Sequence, residues 1–259
     1  MAKAIIAGLL SSGLSPARLY ASAASDKTRT DVAKRFGIAS GSNSDACDGA
    51  DVIVLAVKPQ RLEHVCVEIQ PHIKPNTLII SVAAGIDCAS IETWLGDHAI
   101  VRCMPNTPSS IGMGAAGLFA NHSVTEQQKQ TAQRILEAVG VAMYVDSEPL
   151  IDAVTAVSGS GPAYFFLFIE AMADAGEQLG LSREVASALA KQTALGASSL
   201  AKQSETDIQQ LRKNVTSPKG TTEQAIMSFE KNDLRGLVSQ AMQACASRAK
   251  SLSNELGAN

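Results

Sequence analysis

The 259-residue sequence predicts an α/β half built on a doubly wound sheet, followed by an all-α half. Three observations carry that division. Short apolar strand patterns alternate with helical patterns up to about residue 147, the arrangement produced by right-handed βαβ crossovers. One strand, "DVIVLAV" (51–57), is apolar without alternation, as a strand covered on both faces of a parallel sheet must be. Beyond residue 150 the strand signal stops and helical patterns run on, so a boundary near 147–150 divides the chain into residues 1–148 and 149–259.

In order along the chain, "MAKAIIAGLLSSG" is a helix, with Ile5, Ile6, Leu9 and Leu10 at helical spacing and Ser12-Gly13 as its stop. "RLYASA" (18–23) is a short strand and "SDKTRTDVAKRFG" a helix ended by Gly37. The polar stretch "SGSNSD" around Asn43 reads as a turn-forming loop. Pro59 bars continuation of the 51–57 strand, and "RLEHVCVEI" is the helix after it. "TLIISVAAG" is the next strand and "DCASIETWLG" a helix with Asp87 as N-cap and Gly96 as stop. "HAIVRCM" returns to strand. "AAGLFA" and "AMYVD" close the sheet, separated by the helix "SVTEQQKQTAQRILEAVG", which a capping box from Ser123 to Glu126 opens. In the second half, helices are expected over 150–180, 183–203, 205–213, 222–230 and 232–256. They are rich in Ala, Gly and Ser, and several lack a fully polar face, which signals burial against other helices, including those of a second subunit.

Composition narrows the partners. At 46% hydrophobic residues the chain can bury a full core. Its 22 basic and 25 acidic residues leave a formal charge of -3 without the clustered cations that nucleic acid requires, so a small-molecule partner is expected. The five cysteines contain no CxxC pair and the four histidines no HxxH, which indicates neither a disulfide framework nor a metal site and suits a reducing cytoplasm. The most apolar stretch, "AYFFLFIEAMADAG", is interrupted by Glu170 before spanning length, so no membrane partner is expected.

The βαβ pattern makes a dinucleotide site the natural expectation for the first half, yet its glycine loop is not where a search finds glycines. "GMGAAG" (Gly112, Gly114, Gly117) has the literal spacing. A proline-punctuated loop leads in and a strand-like segment leads out, so no helix start would face a pyrophosphate. In "SGSGPAYFF" (158–166), Pro162 suits a first helical turn, but Tyr164 is too bulky for a phosphate-approach position; the stretch is either a tight helix-packing point or a wall of a substrate pocket. By elimination the loop belongs upstream of Met1. Without the strand that carries it, the strands at 18–23 and 51–57 should have unpaired edges, and a dinucleotide should bind less well than to a chain extended by roughly one strand and a tight turn.

"LRKNVTSPKGTTEQAIMSFE" (211–230) resembles the signature of pyrroline-5-carboxylate reductases, matching at Leu211, Asn214, Val215, Ser217, Pro218, Gly220, Thr222, Ala225 and Phe229. "AVKP" (56–59), "SVAAG" (81–85), "MPNTP" (104–108) and "SGSGPAYFF" agree with the same family in order, so the resemblance runs over essentially the whole chain. It implies a Rossmann-like domain followed by a helical substrate-binding and dimerisation domain. The implied reaction is NAD(P)H-dependent reduction of L-1-pyrroline-5-carboxylate to L-proline, the last step of proline biosynthesis.

The resemblance also distributes roles. Thr222 donates a hydroxyl near the ring nitrogen and is the candidate catalytic residue, while Ser217, Gly220 and Thr221 line the substrate carboxylate. A helix start there, with Thr221 capping toward Gln224 and the first turn at Thr222, supplies the backbone donors an anion needs. Glu148 matches a substrate-side position, the alternative being a solvated carboxylate at a domain linker. No histidine falls in a matched motif: either the imine is protonated before it binds or water carries the proton with Thr222 orienting it. On the cofactor side stand Ala56, Val57, Lys58 and Pro59, then Ala83 and Ala84, with Asn43 toward the adenosine and Asn214 toward the nicotinamide. Ser22 and Ser25, ahead of Lys27 and Arg29, favour NADPH over NADH, although Asp26 would suit a free ribose hydroxyl. The helical half should form a homodimer or a larger ring. Two other readings stand beside this one. A β-hydroxyacid dehydrogenase needs a lysine where Phe165 lies, and an N-terminally truncated, catalytically impaired relative would act only as a folded dimer.

Overall fold

A computed structural model describes residues 1–257. Its contacts gather into two units, Met1–Ser160 with the segment from Ala244 onward, and Gly161–Gln243. The packing therefore divides the chain after Ser160, later than the change in composition.

The first unit runs α1 (Ala2–Ser11), β1 (Tyr20–Ser22), α2 (Asp26–Phe36), β2 (Ala39–Gly41), α3 (Asn43–Cys47), β3 (Val52–Leu55) and α4 (Leu62–Ile69). It continues with β4 (Leu78–Ser81), α5 (Cys88–Leu95), β5 (Ala99–Met104), β6 (Gly114–Ala120), α6 (Glu126–Glu137), β7 (Gly140–Tyr144) and α7 (Leu150–Val154). The local signals act as expected at α2, where Gly37 ends the helix in the left-handed conformation at φ 66°. At α5, the Asp87 carboxylate accepts from the Ser90 N–H at 2.8 Å. Two expectations fail. The capping box of α6 is Thr125 with Gln128, since Thr125 has the extended backbone of an N-cap, whereas the Ser123 hydroxyl bonds Asp97. Asn43 lies in a helix rather than a loop: α3 is opened by a capping box between Ser42 and Asp45, and β2 precedes it.

The strands form two sheets, β1-β2 and β3-β4-β5-β6-β7. β3, β4 and β5 are parallel, but β6 runs antiparallel to β5, because only a short loop with a 3₁₀ turn at Thr107–Ile111 joins them and no crossover fits in it. β1 and β3 each stand at the end of a sheet among the described strands.

Strand alternation sends Ile79 and Ile100 to one face, against Leu62, Cys66, Ile69, Ile91 and Leu95 of α4 and α5. It sends Leu78, Ile80, Val101 and Cys103 to the other, against Ala132 and Leu136 of α6 and Ile5 of α1. The large members are essentially inaccessible to solvent, and each contributes about 1.5–3 kcal/mol. Burial on both faces explains the unbroken apolar runs.

The second unit comprises α8 (Gly161–Gln178), α9 (Arg183–Gln203), α10 (Ile208–Asn214), α11 (Thr221–Lys231) and the part of α12 (Leu234–Gly257) up to Gln243. α8 and α9 meet through small residues: Ala173, Ala186 and Ala190 are buried, and a Cβ on Gly176 would lie 3.1 Å from that of Ala186. The helical run Leu150–Gln178, 29 residues with one π turn at Thr155–Gly159, is long and apolar enough to cross a membrane by length and composition, so Glu170 does not cut it short. Phe165, Phe166 and Leu167 are each more than 60% exposed, so their faces have no cover within the unit.

Candidate active site

The parallel register pairs Leu55 with Ser81 and thereby aligns the carboxyl ends of β3 and β4, where open α/β sheets bind ligands. The Val82 N–H bonds the Leu55 carbonyl at 3.1 Å, which sets Ala56, Val57 and Lys58 beside Val82, Ala83 and Ala84. Pro59 turns the chain away into a 3₁₀ turn, as the sequence indicates. Ala83 is buried, Ala84 exposed, and Gly85 takes φ 74°, so the chain reverses there with little side-chain bulk. Ala83, Ala84 and Gly85 line a cavity of about 250 Å³, which Arg102 and Met104 of β5, Thr155, Ser160 and Arg248 also enclose.

At the end of β1, beside Ser22, the Arg29 guanidinium donates to the Ala23 carbonyl at 2.7 Å and pairs with the exposed Asp26 carboxylate. Asp26 is thus engaged by Arg29, and a cation stands at the strand end that chooses between a ribose hydroxyl and a 2'-phosphate. The Asn43 amide donates to Glu68 at 2.9 Å.

In the second unit, Ser217–Gly220 is a turn closed by the Gly220 N–H on the Ser217 carbonyl at 3.0 Å, with Lys219 left-handed at φ 61°. A Cβ on Gly220 would lie 2.4 Å from Ser217 Oγ and 3.0 Å from the Ser217 carbonyl oxygen, so a side chain there would crowd the turn. Gly220, not Thr221, is the N-cap of α11, and Thr221 starts the helix. The Glu223 carboxylate reaches back to the Lys219 N–H at 2.8 Å, and no side chain caps the first turn. Thr221, Thr222 and Ser217 are exposed, as is Asn214 at the end of α10, whose amide oxygen accepts from Gln210.

Residues 148–252 match the pyrroline-5-carboxylate reductase dimerisation family, and residues 1–85 match the family described as NADP oxidoreductase, coenzyme F420-dependent. A pyrroline-5-carboxylate reductase of Pseudomonas aeruginosa is 51% identical over 259 residues, covering 99% of this chain and 95% of that protein. The chain belongs to the pyrroline-5-carboxylate reductase family. A pyrroline-5-carboxylate reductase structure from Coxiella burnetii, 45% identical, superposes with a TM-score of 0.95 over 97% of this chain and 94% of that one. The Plasmodium falciparum pyrroline carboxylate reductase, solved with NADP bound, is 32% identical, with a TM-score of 0.82 over 96% of this chain and 93% of that one.

Within this family member, the Glu148 carboxylate is not solvated at a linker. Its Oε1 accepts from the Cys88 N–H at 2.8 Å and from Arg102 at 3.1 Å, and the two side chains are 21% and 7% exposed. Sequence reasoning missed Arg102, which lies in the strand "HAIVRCM" without polar neighbours to betray it. It also left Asn106 of "MPNTP" without a task. That buried amide accepts from the Ala115 N–H at 2.9 Å and donates to the Ser158 carbonyl at 3.0 Å, tying two shared motifs together. In "GMGAAG", Gly114 and Gly117 lie closely packed in β6, and Gly112 ends the preceding turn in the left-handed conformation at φ 71°. In "SGSGP", a Cβ on Gly159 would come within 2.6 Å of Met104, which accounts for that glycine by packing.

Proposed function

We propose that this chain reduces L-1-pyrroline-5-carboxylate to L-proline with NADPH, acting as a homodimer or larger ring in the cytoplasm. The full-length 51% identity to a named reductase carries the reading. Residues in each of the two units support it.

The carboxyl ends of β3 and β4 suit a dinucleotide: Ala56, Val57, Lys58 and Pro59 border one side, Ala83 and Ala84 the other, with no large side chain at the turn. Arg29 beside Ser22 fits the additional phosphate of NADPH, and the Plasmodium falciparum relative was solved with NADP bound. When bound, the cofactor supplies the hydride. Asn43 serves the adenosine end and Asn214 the nicotinamide end.

The chain's own residues provide the rest. The uncapped first turn at Gly220, Thr221 and Thr222, with Ser217 before it, holds the substrate carboxylate by backbone donors and the helix dipole. The Thr222 hydroxyl hydrogen-bonds the ring nitrogen and orients the proton it receives. The exposed apolar faces around Phe165 and Leu167 are covered by a second copy rather than by lipid, in keeping with the dimerisation-family match. A folded dimer without catalysis is not favoured, because the substrate motif is intact and the relatives are named as reductases.

Mixing purified protein with NADPH and pyrroline-5-carboxylate tests the reading. NADPH consumption with an equal yield of proline is expected, and consumption without proline would overturn it.

A further inference from the structure

Glu148 and Arg102 are far apart in sequence from the turn that carries Ala83 and Ala84, yet they grip its far end. The turn leaves β4 at Ser81, reverses at Gly85 with φ 74° and enters α5 at Cys88. On the strand side, the Ala83 N–H leans on Ser81 Oγ at 3.4 Å, a weak hold. On the helix side, Asp87 takes the Ser90 N–H, and Glu148 Oε1 takes the Cys88 N–H at 2.8 Å, so two carboxylates satisfy two donors of the first turn. Glu148 is itself held by Arg102 on β5, at 3.1 Å in a nearly dry setting. Arg102 and the turn residues line the same cavity. The pair therefore connects the central strand β5 to a turn whose backbone includes a left-handed glycine.

We propose that Arg102 and Glu148 are positioning residues for the cofactor: through the Cys88 N–H they fix the Ala83–Asp87 turn against which the nicotinamide end rests. The inference builds on the reading above, in which Ala83 and Ala84 border the cofactor. It also moves Glu148 from the substrate to the turn.

Three variants test it: Glu148→Gln, which keeps an oxygen for the Cys88 N–H but loses the charge, Glu148→Ala, which loses both, and Arg102→Lys. The readouts are NADPH dissociation constants by fluorescence, KM for each substrate, and melting temperature. Loss of one charge-assisted hydrogen bond predicts a rise of about tenfold in the NADPH constant for Glu148→Ala. The Gln and Lys variants should fall between it and the parent protein, and KM for pyrroline-5-carboxylate should stay within about twofold. A raised KM for pyrroline-5-carboxylate with unchanged NADPH binding would overturn the inference in favour of substrate contact. Unchanged NADPH binding in a Glu148→Gln protein that melts early would overturn it in favour of fold maintenance alone. If the parent protein fails to bind NADPH, the cofactor reading itself fails; normal parent binding with insensitive variants removes only the positioning role.

Discussion

Gly117 and Val154 pack so closely that a Cβ on the glycine would sit 2.5 and 2.6 Å from the two Val154 methyl carbons. Valine has no rotamer into which both methyls can withdraw. Gly117→Ala should therefore destabilise the protein by about 1–3 kcal/mol, as overpacking does. Adding Val154→Ala should recover much of the loss, and denaturant unfolding of the four proteins in the cycle measures the coupling.

Thr222→Ala should lower kcat about tenfold to a hundredfold, the range for losing one hydrogen bond to a charged group in the transition state. The NADPH dissociation constant should be almost unchanged. A tenfold rise in that constant would place Thr222 on the cofactor side instead.

Arg29→Ala should raise KM for NADPH about tenfold and leave KM for NADH nearly alone, since only NADPH carries the phosphate a guanidinium would grip. Steady-state kinetics with both cofactors decides. Equal effects on the two would mean that Arg29 acts only by holding the Ala23 carbonyl.

Burial pushes the thiols of Cys66, Cys88 and Cys103 up, Cys66 to about 12 and Cys88 with a further push from the Glu148 carboxylate. These thiols stay protonated in the folded protein at a pH where the unfolded chain has already ionised them. The unfolded state then binds fewer protons, so the thiols' contribution to stability is constant below about pH 8.5 and falls as pH rises beyond it, by about 1.4 kcal/mol per pH unit for each such thiol. Thermal melts across that range test the slope. At pH 8, a thiol reagent should label the partly exposed Cys245 quickly and the four buried cysteines only after denaturation.

The fold was legible where one physical signal acted alone. Alternating elements, the apolar run at 51–57 and the glycine stop at Gly37 depend on short-range sequence, and they locate most of the elements. α3 and the capping box of α6 were misread because several hydroxyl and carboxylate residues crowd each helix start, and only backbone geometry selects Ser42 and Thr125. The antiparallel β6 was hidden because strand direction follows from loop length and packing, not from the residues of the strand. The turn before α11 was legible because a proline, a glycine and two threonines lie together in sequence. The Arg102, Glu148 and Cys88 connection was not, since its members are separated by dozens of residues and meet only through tertiary folding.

The first unit takes its residues from two stretches of the chain, with all of Gly161–Gln243 translated between them. On the ribosome, the strands and helices up to Ser160 emerge first, yet the cavity beside Ala83 stays open on one side until Arg248 and its neighbours leave the exit tunnel. Closure of that cavity thus waits on the segment from Ala244 onward, and a nascent chain stalled before Ala244 would expose an unfinished pocket to the cell.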